Sequence, residues 1–212
     1  MIITYELGEK LYINLTNRCS NACDFCLRTA RANDLTHDDW KSDRDLGGVE
    51  SELWLEREPT VEEAIESLKT RDLKSYEEIV FCGFGEPTER FDDCVEIAKW
   101  LKEQGVRVRL NTNGQANLIN NRDVTPQMKG LFDVVSISLN NKNAEEYQQV
   151  CHSEFGEKAF DELISFGAKC AKLGIETVFS VVDLLPAEDI AKCREIAEQS
   201  GAKLRIREYI EQ

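Results

Sequence analysis

An α/β fold, built as an open, curved barrel of six parallel strands with crossover helices, is the architecture the sequence predicts. Three observations predict it. Short apolar runs alternate with amphipathic helical segments along most of the 212 residues, as a parallel sheet with crossover helices requires. Within the runs, alternate positions are apolar and the positions between them polar. The runs number six, too few for the eight-stranded closed barrel, which leaves the barrel partial.

The strands fall at about 11–16, 79–83, 106–111, 133–139, 175–182 and 202–207. Leu11, Ile13 and Leu15 set the apolar parity, followed by Val106, Val108 and Leu110, then Val135, Ile137 and Leu139. Thr177, Phe179, Val181, Leu204 and Ile206 continue it, and this face is expected against the helices. The opposite face carries Tyr12, Asn14 and Thr16, then Arg107, Arg109 and Asn111, then Ser136, Ser138 and Asn140. Glu176, Ser180, Arg205 and Arg207 complete it. Charged side chains are rarely buried unless paired or bound to a ligand, so this inner face is expected to hold polar ligands, or else to stand partly wet.

The helices carry start and stop chemistry. Thr60-Val-Glu-Glu63 is a capping box, followed by the stripe Val61, Ala64, Ile65 and Leu68. A second helix spans about 90–104, with Phe91, Cys94, Ala98 and Leu101 on one face and Gly105 at its end. A very short one starts at Thr125-Pro126. The next covers 158–173 with Phe160, Leu163, Ile164 and Cys170 inward, and the last runs from Pro186 to near Gly201. The whole, 1–212, reads as one domain. A polar stretch at about 27–59, containing His37, Trp40 and Gly47-Gly48, interrupts the first strand-to-helix connection as a lid or a surface insertion.

Formal charge is −14, from 40 Asp+Glu against 26 Lys+Arg, scattered rather than blocked. Such a chain does not attract a phosphate backbone, so a nucleic-acid partner is disfavoured. The N-terminus lacks a signal peptide's charged and apolar regions, and no run approaches the ~20 apolar residues of a membrane span. A cytoplasmic location is expected. In a reducing compartment the eight cysteines point to metal binding or catalysis where they cluster. The dispersed ones, Cys82, Cys94, Cys151, Cys170 and Cys193, read most simply as small buried hydrophobes, with Cys151 alternatively a thiol hydrogen donor.

The cluster is Cys19, Cys23 and Cys26, directly after the first strand. A four-iron cube normally takes four thiolates, so three in one tight loop leave one iron open, and an open metal position implies catalysis. Zinc is the rival metal, with His37 completing a Cys3His site. Phe25, between the second and third cysteines, suits packing or stacking on a ligand ring. At the end of the second strand stands Phe81-Cys-Gly-Phe-Gly-Glu-Pro-Thr88, where Gly83 and Gly85 permit close backbone approach and Glu86 is aimed at the barrel mouth. Arg109, Arg205 and Arg207 form a guanidinium set for an anion, or else pair internally with Glu176.

In this order, the two motifs resemble the radical S-adenosylmethionine (radical SAM) superfamily over nearly the whole chain. Its Cys-x3-Cys-x-aromatic-Cys pattern is similar to Cys19, Cys23, Phe25 and Cys26, and its Gly-Gly-Glu motif to Phe84-Gly85-Glu86, with Phe in the first position. The superfamily's fold is a partial (β/α)6 barrel. The resemblance implies a [4Fe-4S] cluster on the three cysteines, whose open iron chelates the amino and carboxylate groups of SAM. Reductive cleavage then yields methionine and a 5′-deoxyadenosyl radical that abstracts a substrate hydrogen. It also implies that Gly85 and Glu86 hold the methionine amino group and Phe25 the adenine. Leu110-Asn111-Thr112-Asn113-Gly114 is similar to the third-strand ending of many members, and Ser136-Ile-Ser138-Leu-Asn140 to the ribose-binding fourth strand. Asn111, Asn113, Ser138 and Asn140 are thus candidates for SAM hydrogen bonds, with local turn capping as the alternative.

Short length and the lack of a second cysteine group argue against auxiliary clusters. Activases of glycyl radical enzymes are an alternative, although they commonly read Trp-Cys-x-Tyr-Cys and Asp-x-Lys where this chain has Asp24-Phe25-Cys26 and Ser138-Leu139-Asn140. The second motif resembles more closely that of small radical SAM proteins associated with TatD-type hydrolases. A non-catalytic iron–sulfur or zinc module is the reading from another class. A reducing electron donor such as flavodoxin or ferredoxin is implied as partner, and the substrate, small molecule or protein, is left open, as are the catalytic residues.

Overall fold

The computed structural model describes residues 1–26 and 53–208. Most of the 27–59 insertion, with His37, Trp40 and Gly47-Gly48, lies outside the described residues. Seven strands form one sheet in chain order: β1 (Thr4–Leu7), β2 (Lys10–Ile13), β3 (Glu78–Phe81), β4 (Val108–Thr112), β5 (Val134–Ser138), β6 (Glu176–Val182) and β7 (Lys203–Arg207). From β2 to β7 every neighbouring pair is parallel. These are the six strands expected, and β1 and β7 each pair on one side only, so the barrel stays open.

The first strand was not anticipated. β1 pairs antiparallel with β2, Leu7 opposite Lys10, across a two-residue turn in which Gly8 has φ +60°. Gly at the first central position is a hairpin signal of the II′ kind. It stands in the sequence as Leu7-Gly8-Glu9-Lys10.

Among the described residues the helices that matter for the site are α1 (Val61–Lys69), α2 (Phe91–Glu103), α3 (Ala116–Ile119), α4 (Thr125–Met128), α5 (Ala144–Cys151), α6 (Lys158–Lys172) and α7 (Ala187–Gln199). The Thr60/Glu63 capping box is present at the start of α1. Helix α5 was missed, although Asn143 caps it by accepting from the Glu146 N–H and two acidic residues fill its first turn. Its eight residues are short for a periodicity argument.

The outer face of the sheet packs on the helices as the parity argument requires. Leu11, Ile13, Val108, Leu110, Val135, Ile137, Phe179 and Val181 are all buried in one apolar core. The parity fails at the last strand, where Leu204 is half-buried and Ile206 is 44% exposed. β7 is an edge strand, and its apolar side is only partly covered by α7.

On the inner face, the N-terminal half is closed by ion pairs. Glu78 receives Lys10 Nζ at 2.9 Å, Arg107 Nε at 3.0 Å and Arg109 Nη1 at 3.4 Å. Arg107 also meets Glu176 at 2.7 Å, and Lys203 reaches Glu176 at 3.3 Å. Arg109, expected in an anion-binding set, is thereby paired internally, with Glu78 rather than Glu176. No described helix is long and apolar enough to cross a membrane.

Candidate functional site

The C-terminal ends of β2 to β5 meet around the cysteine loop, the end of the sheet where α/β folds place their sites. The turn after β3 is bonded to the start of that loop: the Gly85 N–H donates to Thr16 O at 3.0 Å and the Glu86 N–H to Arg18 O at 2.7 Å. A Cβ on residue 85 would stand 2.3 Å from Thr16 O and 2.5 Å from Arg18 O. Only glycine permits two backbones to run this close. Gly83 similarly leaves room for the Asn14 side chain. The glycines therefore draw the two motifs together, which spacing alone did not reveal.

Glu86 is 3% exposed and its carboxylate ties the ends of β3 and β4 together. Its Oε1 accepts from the Thr88 N–H at 3.0 Å, Thr88 Oγ1 at 2.7 Å and Thr112 Oγ1 at 2.7 Å. Its Oε2 accepts from the Asn113 N–H at 2.6 Å. Burial raises its pKa, and these donors oppose the shift. The second oxygen, with a single donor, keeps acceptor capacity for a cation.

Beneath the cysteine loop lies a buried polar network absent from the sequence reading. Its centre is Gln115, 0% exposed. Gln115 Oε1 accepts from Ser20 Oγ at 3.1 Å and Ser153 Oγ at 2.9 Å, and its Nε2 donates to Asn21 Oδ1 at 2.8 Å and Tyr147 Oη at 2.9 Å. Asn113 Nδ2 donates to Ser20 Oγ at 2.9 Å. The loop is also docked on the end of α5, through Ala22 N–H to Cys151 O and Asp24 N–H to Val150 O, both 3.0 Å. His152 Nε2 meets Asp24 at 2.7 Å. The one legible signal was the polar run Asn113-Gly-Gln115 after an apolar strand.

All three loop cysteines are half-buried. Cys19 Sγ accepts from the Asn21 N–H at 3.4 Å and lies 4.0 Å from Asn113 Nδ2. Cys23 is hydrogen-bonded to the thiol of Cys151, which with burial drives the Cys23 pKa far up. Among the described residues no three Cys, His, Asp or Glu side chains are gathered into a metal cradle. Cys151 is buried, as expected of a core cysteine, but stands beside the loop, whereas Cys82 is half-buried on the inner face next to Asn111.

Of the other candidates, Phe25 packs on the apolar core. Asn111 accepts from Arg109 Nε at 2.9 Å. Ser138 ends β5 half-buried. Asn140 adopts a left-handed conformation, φ +58°, and its Nδ2 donates to Cys151 Sγ at 3.4 Å. Among the described residues, three buried polar atoms on this side of the sheet have no hydrogen-bond partner: Asn14 Oδ1, Asn140 Oδ1 and Arg207 Nε. Orphaned atoms are costly, and they suit a site completed by a polar ligand. With three thiols in one loop and no fourth cysteine within it, the residues fit a three-thiolate iron–sulfur cluster and a polar cofactor beside it.

The sequence model of the radical SAM superfamily matches residues 13–199. No curated protein sequence matches the chain. Streptococcus suis SuiB bound to S-adenosylmethionine is similar in fold, with TM-score 0.68 at 14% identity over 96% of this chain and 41% of that one. SuiB bound to the precursor peptide SuiA gives TM-score 0.68 at 13% identity over 98% and 40%. A radical SAM methyltransferase from Sphaerobacter thermophilus gives 0.63 at 14% identity over 96% and 57%. The chain thus spans 40–41% of the SuiB length and 57% of the methyltransferase.

Proposed function

The chain belongs to the radical SAM superfamily, and from that membership we propose an enzyme that reductively cleaves SAM at a [4Fe-4S] cluster to abstract hydrogen from a substrate. The observation that carries the reading is the fastening of the three-cysteine loop, through Gly85 and Glu86, to the mouth of a polar-lined open barrel. When bound, the reduced cluster would supply one electron to the sulfonium of SAM, whose cleavage would give methionine and a 5′-deoxyadenosyl radical.

Cys19, Cys23 and Cys26 hold the cluster by three irons. The Gly85 backbone and the Glu86 Oε2 lone pair orient the methionine ammonium. Phe25 lies against the adenine, and Asn111, Asn113, Ser138 and Asn140 offer amide and hydroxyl groups to the rest of SAM. The Gln115 network and the docking on α5 fix the cysteine loop. Electrons come from a small reductant protein such as flavodoxin or ferredoxin, and the enzyme works in the cytoplasm. The substrate is a small molecule or, as for the neighbour bound to a precursor peptide, a polypeptide.

Anaerobic reconstitution with iron and sulfide tests the reading. A reduced cluster whose EPR spectrum shifts on adding SAM, together with 5′-deoxyadenosine formation, is the expected result. A cluster indifferent to SAM would make the chain a non-catalytic iron–sulfur module.

A further inference from the structure

The inner face of the sheet is positively charged in a chain whose net charge is −14. Among the described residues its strands, with Arg107 just before β4, carry six cations against the two carboxylates Glu78 and Glu176. Four of the cations, Lys10, Arg107, Arg109 and Lys203, are paired with those carboxylates. Arg205 and Arg207, on β7, have no ion-pair partner among the described residues. They lie further along the strand, toward the C-terminal end where the cysteine loop stands: Arg205 is level with Ser180 and Arg207 with Val182. Arg207 is within electrostatic reach of Arg205, Cys82 and Cys23, and its Nε is buried without a hydrogen-bond partner.

Two guanidinium groups without an ion-pair partner among the described residues and within electrostatic reach of each other repel, and a buried N–H without an acceptor is costly. A single oxyanion relieves both. Guanidinium is also the side chain best matched to carboxylate or phosphate, which it binds through two parallel N–H donors. We propose that Arg205 and Arg207 anchor an anionic group, carboxylate or phosphate, of the molecule on which the enzyme acts. The inference rests on the proposed function, in which the carboxylate of SAM is committed to iron and leaves the arginine pair to the substrate.

The reconstituted chain with SAM bound is titrated calorimetrically with inorganic phosphate and separately with succinate, ionic strength being held by potassium chloride. The wild type should bind at least one of them saturably. Arg207→Ala and Arg205→Ala should each weaken that binding about tenfold, the loss of charge-assisted hydrogen bonds, while SAM affinity is unchanged and the lysine variants recover part of the anion binding. Arg205 is exposed, so its variant carries the test should Arg207→Ala fail to fold. No saturable anion binding by the wild type, or binding by both alanine variants as tight as that of the wild type, overturns the inference. So does a parallel loss of SAM affinity, which would assign the pair to the SAM carboxylate. A wild type that never binds SAM removes the functional reading, and the inference with it, before any anion is added.

Discussion

The Oε2 of Glu86 accepts the backbone N–H of Asn113 at 2.6 Å, so the acid proposed to orient SAM also ties the turn after β3 to the turn after β4. Truncating it leaves the Thr88, Thr112 and Asn113 donors without their acceptor in a buried site. Glu86→Ala should therefore cost about 2–3 kcal/mol of stability and weaken SAM binding, while iron stays bound. Denaturant unfolding and SAM calorimetry on one preparation check both. SAM affinity unchanged would remove Glu86 from the binding site and leave it a structural tie.

Gly85→Ala probes the close backbone approach. Its methyl would stand 2.3 Å from Thr16 O, a backbone atom that moves only with the cysteine loop. Iron content after reconstitution should fall severely, beyond any loss of stability. A variant with full iron would show that the loop yields without cost.

Gln115 holds Ser20 and Asn21, two residues of the cysteine loop, against Tyr147 and Ser153. Gln115→Leu preserves bulk but strips four buried groups of a partner, and a cost of about 2–4 kcal/mol is expected. Reconstituted iron should also become more labile to chelator than in wild type. Equal lability would confine Gln115 to the core.

Parity made the sheet legible, because one outer face packs on helices and a period of two follows directly. It failed at Ile206, since an edge strand lacks a full cover, and it passed over β1, where only Thr4 is buried and no apolar face exists to alternate. The cysteine and glycine motifs were legible because local spacing encodes them. Gln115, Tyr147 and Cys151 were not, because their partners are distant in sequence and become neighbours only once the sheet has rolled up. Helix α5, which brings two of them, was hidden by its brevity.

Glu78 offers a test of the charged base of the barrel by pH. Burial alone would raise its pKa, but hydrogen bonds from Lys10 and Arg107 and the charge of Arg109 carry it below the ordinary 4.5. A depressed folded pKa contributes stability above the unfolded value and loses it as pH falls through the folded one. Glu78→Gln should thus be about 1–2 kcal/mol less stable than wild type at pH 7, its cationic partners being partly exposed. The gap should close as the pH drops below 4.5. A gap independent of pH would mean that the charge of Glu78 contributes nothing.

The contact of Cys23 with Cys151 sets two thiols side by side of which only one belongs to the loop. If the loop alone binds the cluster, Cys23→Ser abolishes assembly, whereas Cys151→Ala keeps full iron and leaves the open iron free for SAM. Filling of the buried Cys151 site by alanine removes one sulfur from the core and should cost about 1 kcal/mol, with the EPR response to SAM retained. Loss of iron in Cys151→Ala would make Cys151 a fourth thiolate ligand. In that case no iron is open, the cluster is a closed four-thiolate centre, and SAM cleavage has no place to occur.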